Sequence, residues 1–145
     1  MPEIHTAQTW PEFEGAYKKF VGSIQPDKDN GRTSIARQCI NGLAMFWAQN
    51  LRKGERYLYV TDGPAVQGLA RIQIEPASVK LQDVVGYAGS GALLVNRTIE
   101  IARQEGKHKV WLEAADEGVS EYYANNFQFA FTSRDATSGR MERDA

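Results

Sequence analysis

The feature that most constrains the fold is a change in the hydrophobic period near residue 55. Before it, apolar residues recur at helical spacing in two segments, residues 9–24 and 34–54. After it, three successive strands are predicted, over residues 56–60, 65–75 and 78–82. The letters "TDGP" between the first two strands predict a hairpin turn. Helices that interrupt a largely antiparallel series indicate an α+β or mixed α/β fold, not a doubly wound sheet.

The second half of the chain continues with alternating elements. A glycine-rich stretch, "GYAGSGALL" (residues 86–94), leads into a helix that Gly106 can end. Three elements are then predicted: a strand over residues 107–114, a helix over 116–126 and a strand over 127–132. The polar residues 133–145 predict a short last strand around "GRMER" or a frayed tail. With a short first strand within residues 3–8, residues 1–145 are expected to form one domain.

Composition excludes several function classes. The net charge of −1 gives no electrostatic case for binding nucleic acid or a membrane. The isolated His5 and His108 and the one cysteine, Cys39, do not have the spacing of a metal site. Cys39 lies on the apolar stripe of its helix and is expected in the core. No signal peptide or membrane span is predicted, so a cytoplasmic location is expected.

The glycine-rich stretch has two interpretations. The first turn of a helix leaves N–H groups without intrahelical acceptors, and the helix dipole makes that end attractive to anions. Glycines let a phosphate approach the backbone closely, so Gly86, Gly89 and Gly91 are compatible with a phosphate-binding loop to which Ser90 adds a hydroxyl. The other interpretation is a flexible turn between a strand and a helix. A Walker loop does not fit, because Ala92 follows Gly91 where a lysine is required.

The order of three strands, glycine loop, helix, strand, helix and strand resembles the GNAT family of acyl-CoA-dependent N-acyltransferases. The family's loop reads Gln/Arg-x-x-Gly-x-Gly/Ala; Gly89 and Gly91 match its small positions, whereas Gly86 departs from Gln/Arg. The resemblance covers roughly residues 55–132. It implies a three-layer α/β/α sandwich whose central, largely antiparallel sheet is splayed at the coenzyme site.

The resemblance also implies a reaction and its donor. The chain is expected to move an acetyl group from acetyl-CoA, as acyl-donor cosubstrate, to an amine by direct attack in a ternary complex. The strand before the loop would line the pantetheine arm, and one of its N–H groups could polarise the thioester carbonyl. The loop would hold the pyrophosphate. The implied coenzyme-binding residues are Leu81, Gln82, Asp83, Val84, Gly86, Tyr87, Ala88, Gly89, Ser90, Gly91 and Ala92.

A tyrosine is expected to protonate the departing thiolate. The family's text is Tyr-x-x-x-Gly-Phe, and here the stretch reads "EYYANNFQF". If Asn126 takes the left-handed conformation of the family's glycine, Phe127 opens the next strand and Tyr122 is the acid. The register that uses Phe129 instead puts Ala124 in the tyrosine position. Tyr123 is the neighbouring alternative, and both tyrosines could simply pack.

The general base and the acceptor stay open. Glu75 and Glu113 at strand ends, and His5 and His108, are the candidate bases. The acceptor pocket is expected near residues 22–33, with Trp10, Trp47 and Tyr57 as nearby aromatics. An amine-bearing small molecule or a protein is the implied acceptor, for example a polyamine, an aminoglycoside or a protein N-terminus.

Two other functions compete with the enzyme. A GNAT-fold module could bind acyl-CoA, catalyse weakly and regulate a partner protein, as the departure at Gly86 allows. A ligand-free interaction domain would use the glycine loop only as a turn. An exposed sheet edge also favours pairing of two copies, so a homodimer is one expectation.

Overall fold

A computed structural model describes residues 1–23, 54–114, 117–135 and 138–145 of the chain. Seven strands form one mixed sheet in the order β1-β2-β3-β4-β5-β7-β6, and all neighbours are antiparallel except β4 and β5. The strands are β1 Glu3–Thr6, β2 Glu55–Asp62, β3 Ala65–Ile74, β4 Ser78–Gly86, β5 Lys109–Ala114, β6 Ala130–Asp135 and β7 Ser138–Asp144. The described helices are α1 Trp10–Gly22, α2 Ser90–Gln104 and α3 Glu117–Phe127.

Helix α1 begins where its capping residues predict. The Thr9 hydroxyl accepts a hydrogen bond from Glu12 N at 3.3 Å, and Pro11 occupies the first turn. The Glu12 carboxylate reaches back to accept from Gln8 N at 2.9 Å. These contacts satisfy main-chain donors that a helix start leaves free.

Alternation along the strands divides the core between the two faces of the sheet. Tyr57 on β2 packs with Phe13 and Phe20 of α1, and all three side chains are fully buried. The next residue, Leu58, belongs to the opposite core with Leu94 of α2. Because successive strand residues point to opposite faces, one helix layer covers each face. The predicted sandwich with a central, largely antiparallel sheet is therefore confirmed.

The predicted hairpin and last strand are also present. β2 and β3 pair across a turn at Gly63 and Pro64. Strand β7 covers "GRMER" and inserts between β5 and β6. The helix predicted over residues 34–54 lies almost wholly outside the described residues, as do Cys39, Trp47 and residues 24–33 of the expected acceptor region. Within the described part of the chain, no helix has the length and apolar character needed to cross a membrane.

The predicted end of α3 is wrong. Asn126 is helical and its Nδ2 donates to Tyr122 O at 2.9 Å, so it does not take the left-handed conformation. The helix continues to Phe127, whose carbonyl accepts a hydrogen bond from Arg143 Nη1 of β7 at 2.9 Å. Gln128 is the left-handed residue, with φ of 59°, and β6 begins at Ala130 instead of residue 127. Phe129 N donates to Tyr123 O at 3.3 Å, so a local main-chain bond closes the turn at Gln128, and Arg143 adds a contact from a distant strand.

Candidate functional site

Strands β4 and β5 separate after a short paired stretch. Ser78–Lys80 pair in parallel with Lys109–Trp111, and beyond that point no further pairing joins the two strands in the described structure. Both strands nevertheless continue, to Gly86 and Ala114. A cavity of about 610 Å³ lies in this opening. Its lining residues are Leu81, Gln82, Asp83, Val84, Val85, Gly86, Gly91, Val95, Leu112, Glu113, Gly118, Val119, Tyr122 and Tyr123.

Main-chain groups of the splayed stretch of β4 face this opening. Tyr87 N donates to Gln67 O at 2.8 Å, and hydrogen-bonded pairs alternate along an antiparallel ladder. Val85 and Asp83 therefore form the hydrogen-bonded pairs with β3. Val84, between them, directs its N–H and C=O away from β3 and toward the cavity. These groups are suited to bind an extended polar chain laid along the strand.

A β-bulge sits at the start of the splayed stretch. Arg71 pairs with Asp83 and Ile72 with Leu81, so Gln82 is the extra residue on β4. Below the bulge, Glu75 N donates to Ser78 O at 2.9 Å, which by the same alternation turns Val79 and Leu81 toward β5. Val79 has a strand partner there, Val110, and the last pair, Lys80 with Trp111, takes the Leu81 N–H; in the described structure the Leu81 C=O has no partner on β5. The bulge interrupts the alternation of side chains, which is why the sequence predicts an end at residue 82 although β4 continues to Gly86.

The glycine loop packs tightly against the end of β4. A Cβ at Gly86 would lie 2.9 Å from Gly91 N and 3.1 Å from Gln67 O, both main-chain atoms. A glutamine or arginine therefore does not fit here without backbone movement, which accounts for the departure from the family's loop. Ala88 and Gly89 follow with φ of 52° and 81°, and α2 starts at Ser90.

The start of α2 presents free main-chain donors. Ser90 N bonds to Tyr87 O and Leu93 N to Gly89 O, but the N–H groups of Gly91 and Ala92 donate to no main-chain acceptor among the described residues. The first turn carries no acidic side chain, and Gly89 as N-cap supplies no side-chain acceptor. Because Gly91 lines the cavity, the positive helix end opens onto it. This arrangement favours an anion.

Several predicted coenzyme residues do not line the cavity: Tyr87, Ala88, Gly89, Ser90 and Ala92. The Tyr87 ring packs on Phe20 of α1, with ring centroids 5.6 Å apart. The Ser90 side chain is buried, and its Cβ would be 2.9 Å from a Cβ at Gly68. Its hydroxyl, which lacks a hydrogen-bond partner among the described residues, is thus directed into the core. The side chains of Tyr87 and Ser90 therefore shape the loop from behind.

Two tyrosines of α3 line the opposite wall of the cavity. Tyr122 is 43% exposed, and its ring contacts Tyr123 and Phe127 edge-on. Tyr123 is 7% exposed, and burial raises the pKa of its hydroxyl. In the family's text the tyrosine stands four residues before the left-handed glycine. Because the left-handed residue here is Gln128, Ala124 takes the tyrosine position. Ala124 is exposed and does not line the cavity. Tyr122 remains a candidate through its position on the cavity wall.

The candidate bases are placed differently. Glu113 lines the cavity with a 69% exposed side chain, 3.7 Å from Lys80 Nζ. Glu75 accepts hydrogen bonds from Trp111 Nε1 and, at 2.8 Å, from Ser78 Oγ, and it does not line the cavity. His5 bonds Thr61 on the edge of the sheet, and neither histidine reaches the cavity.

The expected acceptor aromatics within the described residues belong to the core instead. Tyr57 is fully buried and Trp10 is 7% exposed, and both pack in the cluster between α1 and the sheet. Their apolar neighbours on α1 bury them. That they lie near an acceptor stays a prediction.

Sequence reasoning missed a buried ion pair on the cavity wall. Arg71 Nε donates to Asp83 Oδ2 at 2.9 Å, and Nη2 lies 2.8 Å from the same oxygen. Their side chains are 13% and 8% exposed. Asp83 lies one residue beyond the strand predicted over residues 78–82, and its pairing with Arg71 requires the one-residue bulge at Gln82.

No protein-family model matches the sequence, and no curated protein matches it. Solved structures do resemble the chain. The PaiA N-acetyltransferase of Thermoplasma acidophilum, in complex with coenzyme A, is 13% identical with a TM-score of 0.62, covering 100% of this chain and 99% of that one. A GNAT-family acetyltransferase of Staphylococcus aureus is 13% identical with a TM-score of 0.61, covering 99% of each chain.

A third similar structure is the ribosomal-protein-S18-alanine N-acetyltransferase of Escherichia coli. It is 14% identical with a TM-score of 0.60, covering 98% of this chain and 91% of that one. The chain therefore has the GNAT fold. The resemblance drawn from the order of elements and the glycine loop is confirmed at the level of the fold.

Proposed function

We propose that this chain is an N-acetyltransferase that transfers an acetyl group from acetyl-CoA to an amine by direct attack in a ternary complex. One observation carries the proposal: the cavity between β4 and β5 joins a helix N-terminus free of acidic side chains to main-chain groups that have no strand partner among the described residues. Acyl-CoA needs both features, because it carries a pyrophosphate at one end and an amide-containing arm at the other.

The donor is bound through main-chain groups. The pyrophosphate lies at the start of α2, where the N–H groups of Gly91 and Ala92 lack main-chain acceptors among the described residues. The pantetheine arm lies along Leu81–Val84, where the C=O of Leu81 and the N–H and C=O of Val84 face the cavity. An N–H from this stretch polarises the thioester carbonyl and stabilises the oxyanion that forms on attack.

The chemistry requires two proton movements. The amine must lose a proton so that a neutral nitrogen can attack the thioester carbonyl, and the departing thiolate must take a proton. Tyr122 supplies that proton, because it lines the cavity and keeps part of its side chain accessible. The acceptor is an amine on a small molecule or on a protein.

The test is thermal unfolding with and without acetyl-CoA. A ligand that binds only the folded state adds about 2.7 kcal/mol at a hundredfold excess over its dissociation constant, a shift of several degrees. Gly89→Glu, which places a carboxylate at the anion end of α2, is expected to abolish this shift. Gly106→Glu is the matched control, because Gly106 also has a positive φ, of 70°, and open space, but beyond the other end of α2.

A catalytically weak acyl-CoA-binding module that regulates a partner is the second candidate. It is favoured by Gln128, whose left-handed backbone aligns Ala124 with the family's acid. The two candidates differ in turnover of acetyl-CoA with spermidine, kanamycin and an alanine-initiated peptide. Release of free coenzyme A that depends on one of these amines supports the enzyme. Stabilisation by acetyl-CoA without such release supports the module.

A further inference from the structure

The buried pair of Arg71 and Asp83 stands where the cavity begins. Asp83 follows the bulge at Gln82 and lines the cavity, and Arg71 lies directly opposite it on β3. The Asp83 side chain is 8% exposed, so most of the carboxylate is withdrawn from bulk water. An ion pair buried at this depth is costly to build and adds little stability on balance. Its place on a cavity wall suggests a role in chemistry.

The contacts with Arg71 hold one carboxylate oxygen and leave the other open. Arg71 Nε and Nη2 both approach Oδ2 of Asp83, at 2.9 and 2.8 Å. No donor among the described residues bonds Oδ1. A group bound in the cavity can therefore hydrogen-bond to Oδ1 while Arg71 keeps the carboxylate in position.

The charges around Asp83 make it a stronger proton acceptor than an exposed carboxylate. Burial is the largest effect, and it raises the pKa of Asp83. Glu55 on β2 acts in the same direction. Arg71 on β3 and Lys80 on β4 oppose it, and Glu113 on β5 lines the same cavity.

We propose that Asp83 is the general base of the acyl transfer and that Arg71 is its positioning residue. This inference rests on the function proposed above. Asp83 Oδ1 takes a proton from the ammonium form of the amine, and the neutral nitrogen then attacks the thioester carbon, so that the carbon–nitrogen bond forms and the carbonyl π electrons move to oxygen. Collapse of this intermediate breaks the carbon–sulfur bond, and the thiolate takes the Tyr122 proton. The nitrogen loses its second proton to water, and exchange with water then restores Asp83 and Tyr122.

The two glutamates are less suited to this step. Glu75 does not line the cavity, and its carboxylate is already engaged by Trp111 and Ser78. Glu113 lines the cavity, but its side chain is 69% exposed and near Lys80, so water solvates its charge. Asp83 combines a cavity position with burial and with a fixed orientation. These properties suit proton transfer at a defined atom.

The experiment compares three carboxylate variants with the wild type. Asp83→Asn and Glu113→Gln remove the two acids of the cavity wall. Glu142→Gln is the matched control, because Glu142 is a strand carboxylate, 15% exposed, paired with Lys109 and Arg140 and away from the cavity. Each protein is assayed for release of coenzyme A from acetyl-CoA with spermidine, kanamycin and an alanine-initiated peptide, from about pH 6 to about pH 9. Thermal stabilisation by acetyl-CoA is measured in parallel.

Asp83→Asn is expected to lower kcat on the order of 100-fold, while stabilisation by acetyl-CoA is unchanged. Its remaining rate should climb about tenfold per pH unit, because only bulk deprotonation then supplies neutral amine. Glu142→Gln should keep the wild-type rate. Wild-type rate and pH profile in Asp83→Asn, or their loss in Glu113→Gln instead, would overturn the assignment. A wild type that binds acetyl-CoA but acetylates none of the amines would overturn the transferase proposal itself.

A second variant protects the test against misfolding. Asp83→Asn leaves the Arg71 cation without its counter-charge, and that alone can unfold the chain. The double variant Arg71→Gln/Asp83→Asn removes both charges and is expected to show the same loss of kcat and the same steep pH profile. Asp83→Glu keeps the carboxylate and is expected to recover part of the rate with a wild-type pH profile. Equal activity of Asp83→Glu and the double variant would contradict a proton-transfer role.

Discussion

Strand β4 meets two different surroundings along its length. Over Ser78–Lys80, the paired half, it lies between β3 and β5; over Leu81–Gly86, the splayed half, it pairs with β3 alone in the described structure. Val79 and Val84 both direct main-chain groups toward β5, but within the described residues Val79 has a strand partner there and Val84 has none. The main-chain groups that pair with β5 in the first half of β4 therefore face a cavity in the splayed half, without a strand partner in the described structure. The difference teaches that a missing partner strand can be a ligand site.

The largest expected difference is in the unfolding free energy lost when the ion pair of each half is broken. Arg71→Gln leaves Asp83 charged and buried in the splayed half, and we expect a loss of about 3 kcal/mol of unfolding free energy. Glu113→Gln breaks the exposed pair with Lys80 of the paired half and should cost between zero and about 1 kcal/mol. Urea unfolding at neutral pH measures both. Equal losses would show that burial does not distinguish the two pairs.

Proline substitutions test the main-chain N–H groups of the two halves of β4. Val79→Pro removes an N–H that faces β5 and should cost up to about 3 kcal/mol. Val84→Pro removes an N–H that faces the cavity, so we expect a smaller loss of stability together with loss of the thermal shift by acetyl-CoA. Thermal unfolding with and without ligand measures both changes. A Val84→Pro protein that acetyl-CoA still stabilises fully would contradict the assignment of this edge to the donor.

Glycine substitutions test how closely the splayed half packs on α2. Gly86→Ala places a Cβ 2.9 Å from Gly91 N, and we expect a loss of about 1–3 kcal/mol. Gly15→Ala is the control, since it lies inside α1 with open space around it and should gain about 0.5–1 kcal/mol. Denaturant midpoints give both values. A neutral Gly86→Ala would mean that the loop has room for the family's larger residue.

The smallest effect is in the pH dependence of stability. Burial raises the pKa of Asp83 in the splayed half. Its contribution to the unfolding free energy is therefore fully present below the pKa of the unfolded state and is lost as pH rises through the pKa of the folded state. The hydrogen bond from Gln8 N, with a second from Tyr59, lowers the pKa of Glu12. The contribution of Glu12 to stability is therefore lost as pH falls, the opposite of Asp83.

Between neutral pH and pH 4, the stability difference between wild type and Asp83→Asn should therefore grow. The difference between wild type and Glu12→Gln should shrink over the same range. Unfolding free energies at several pH values test the pair of trends. Parallel trends in the two variants would contradict the opposite signs assigned to these carboxylates.

Local pattern was sufficient for most elements of the fold. Alternation located β2, β3 and β5, and capping residues located α1, because these signals lie within a few residues of each other. It failed in two places. Gln82 interrupts the alternation of β4, so the strand was cut short and the Arg71–Asp83 pair was not seen. The left-handed residue after α3 is a glutamine, a residue type that does not signal this conformation, so the asparagine at 126 was the wrong choice.

The site was predicted unevenly for the same reason. Residues of the splayed half and Gly91 follow from the order of elements, and the structure places them on the cavity wall. The side chains of Tyr87 and Ser90 were expected at the site but pack behind it, since their direction depends on Phe20 and Gly68 on other elements. Sequence order predicts where a loop lies better than it predicts where each side chain points.

Amide hydrogen exchange followed by NMR, with and without acetyl-CoA, tests the central claim most directly. We expect acetyl-CoA to slow exchange at Val84, Gly91 and Ala92, whose N–H groups face the cavity or start α2. Val79 should be unchanged, because it is already paired with β5. Binding without protection of Val84 and Gly91, or no change in exchange at any amide, would contradict a donor site in the splay between β4 and β5.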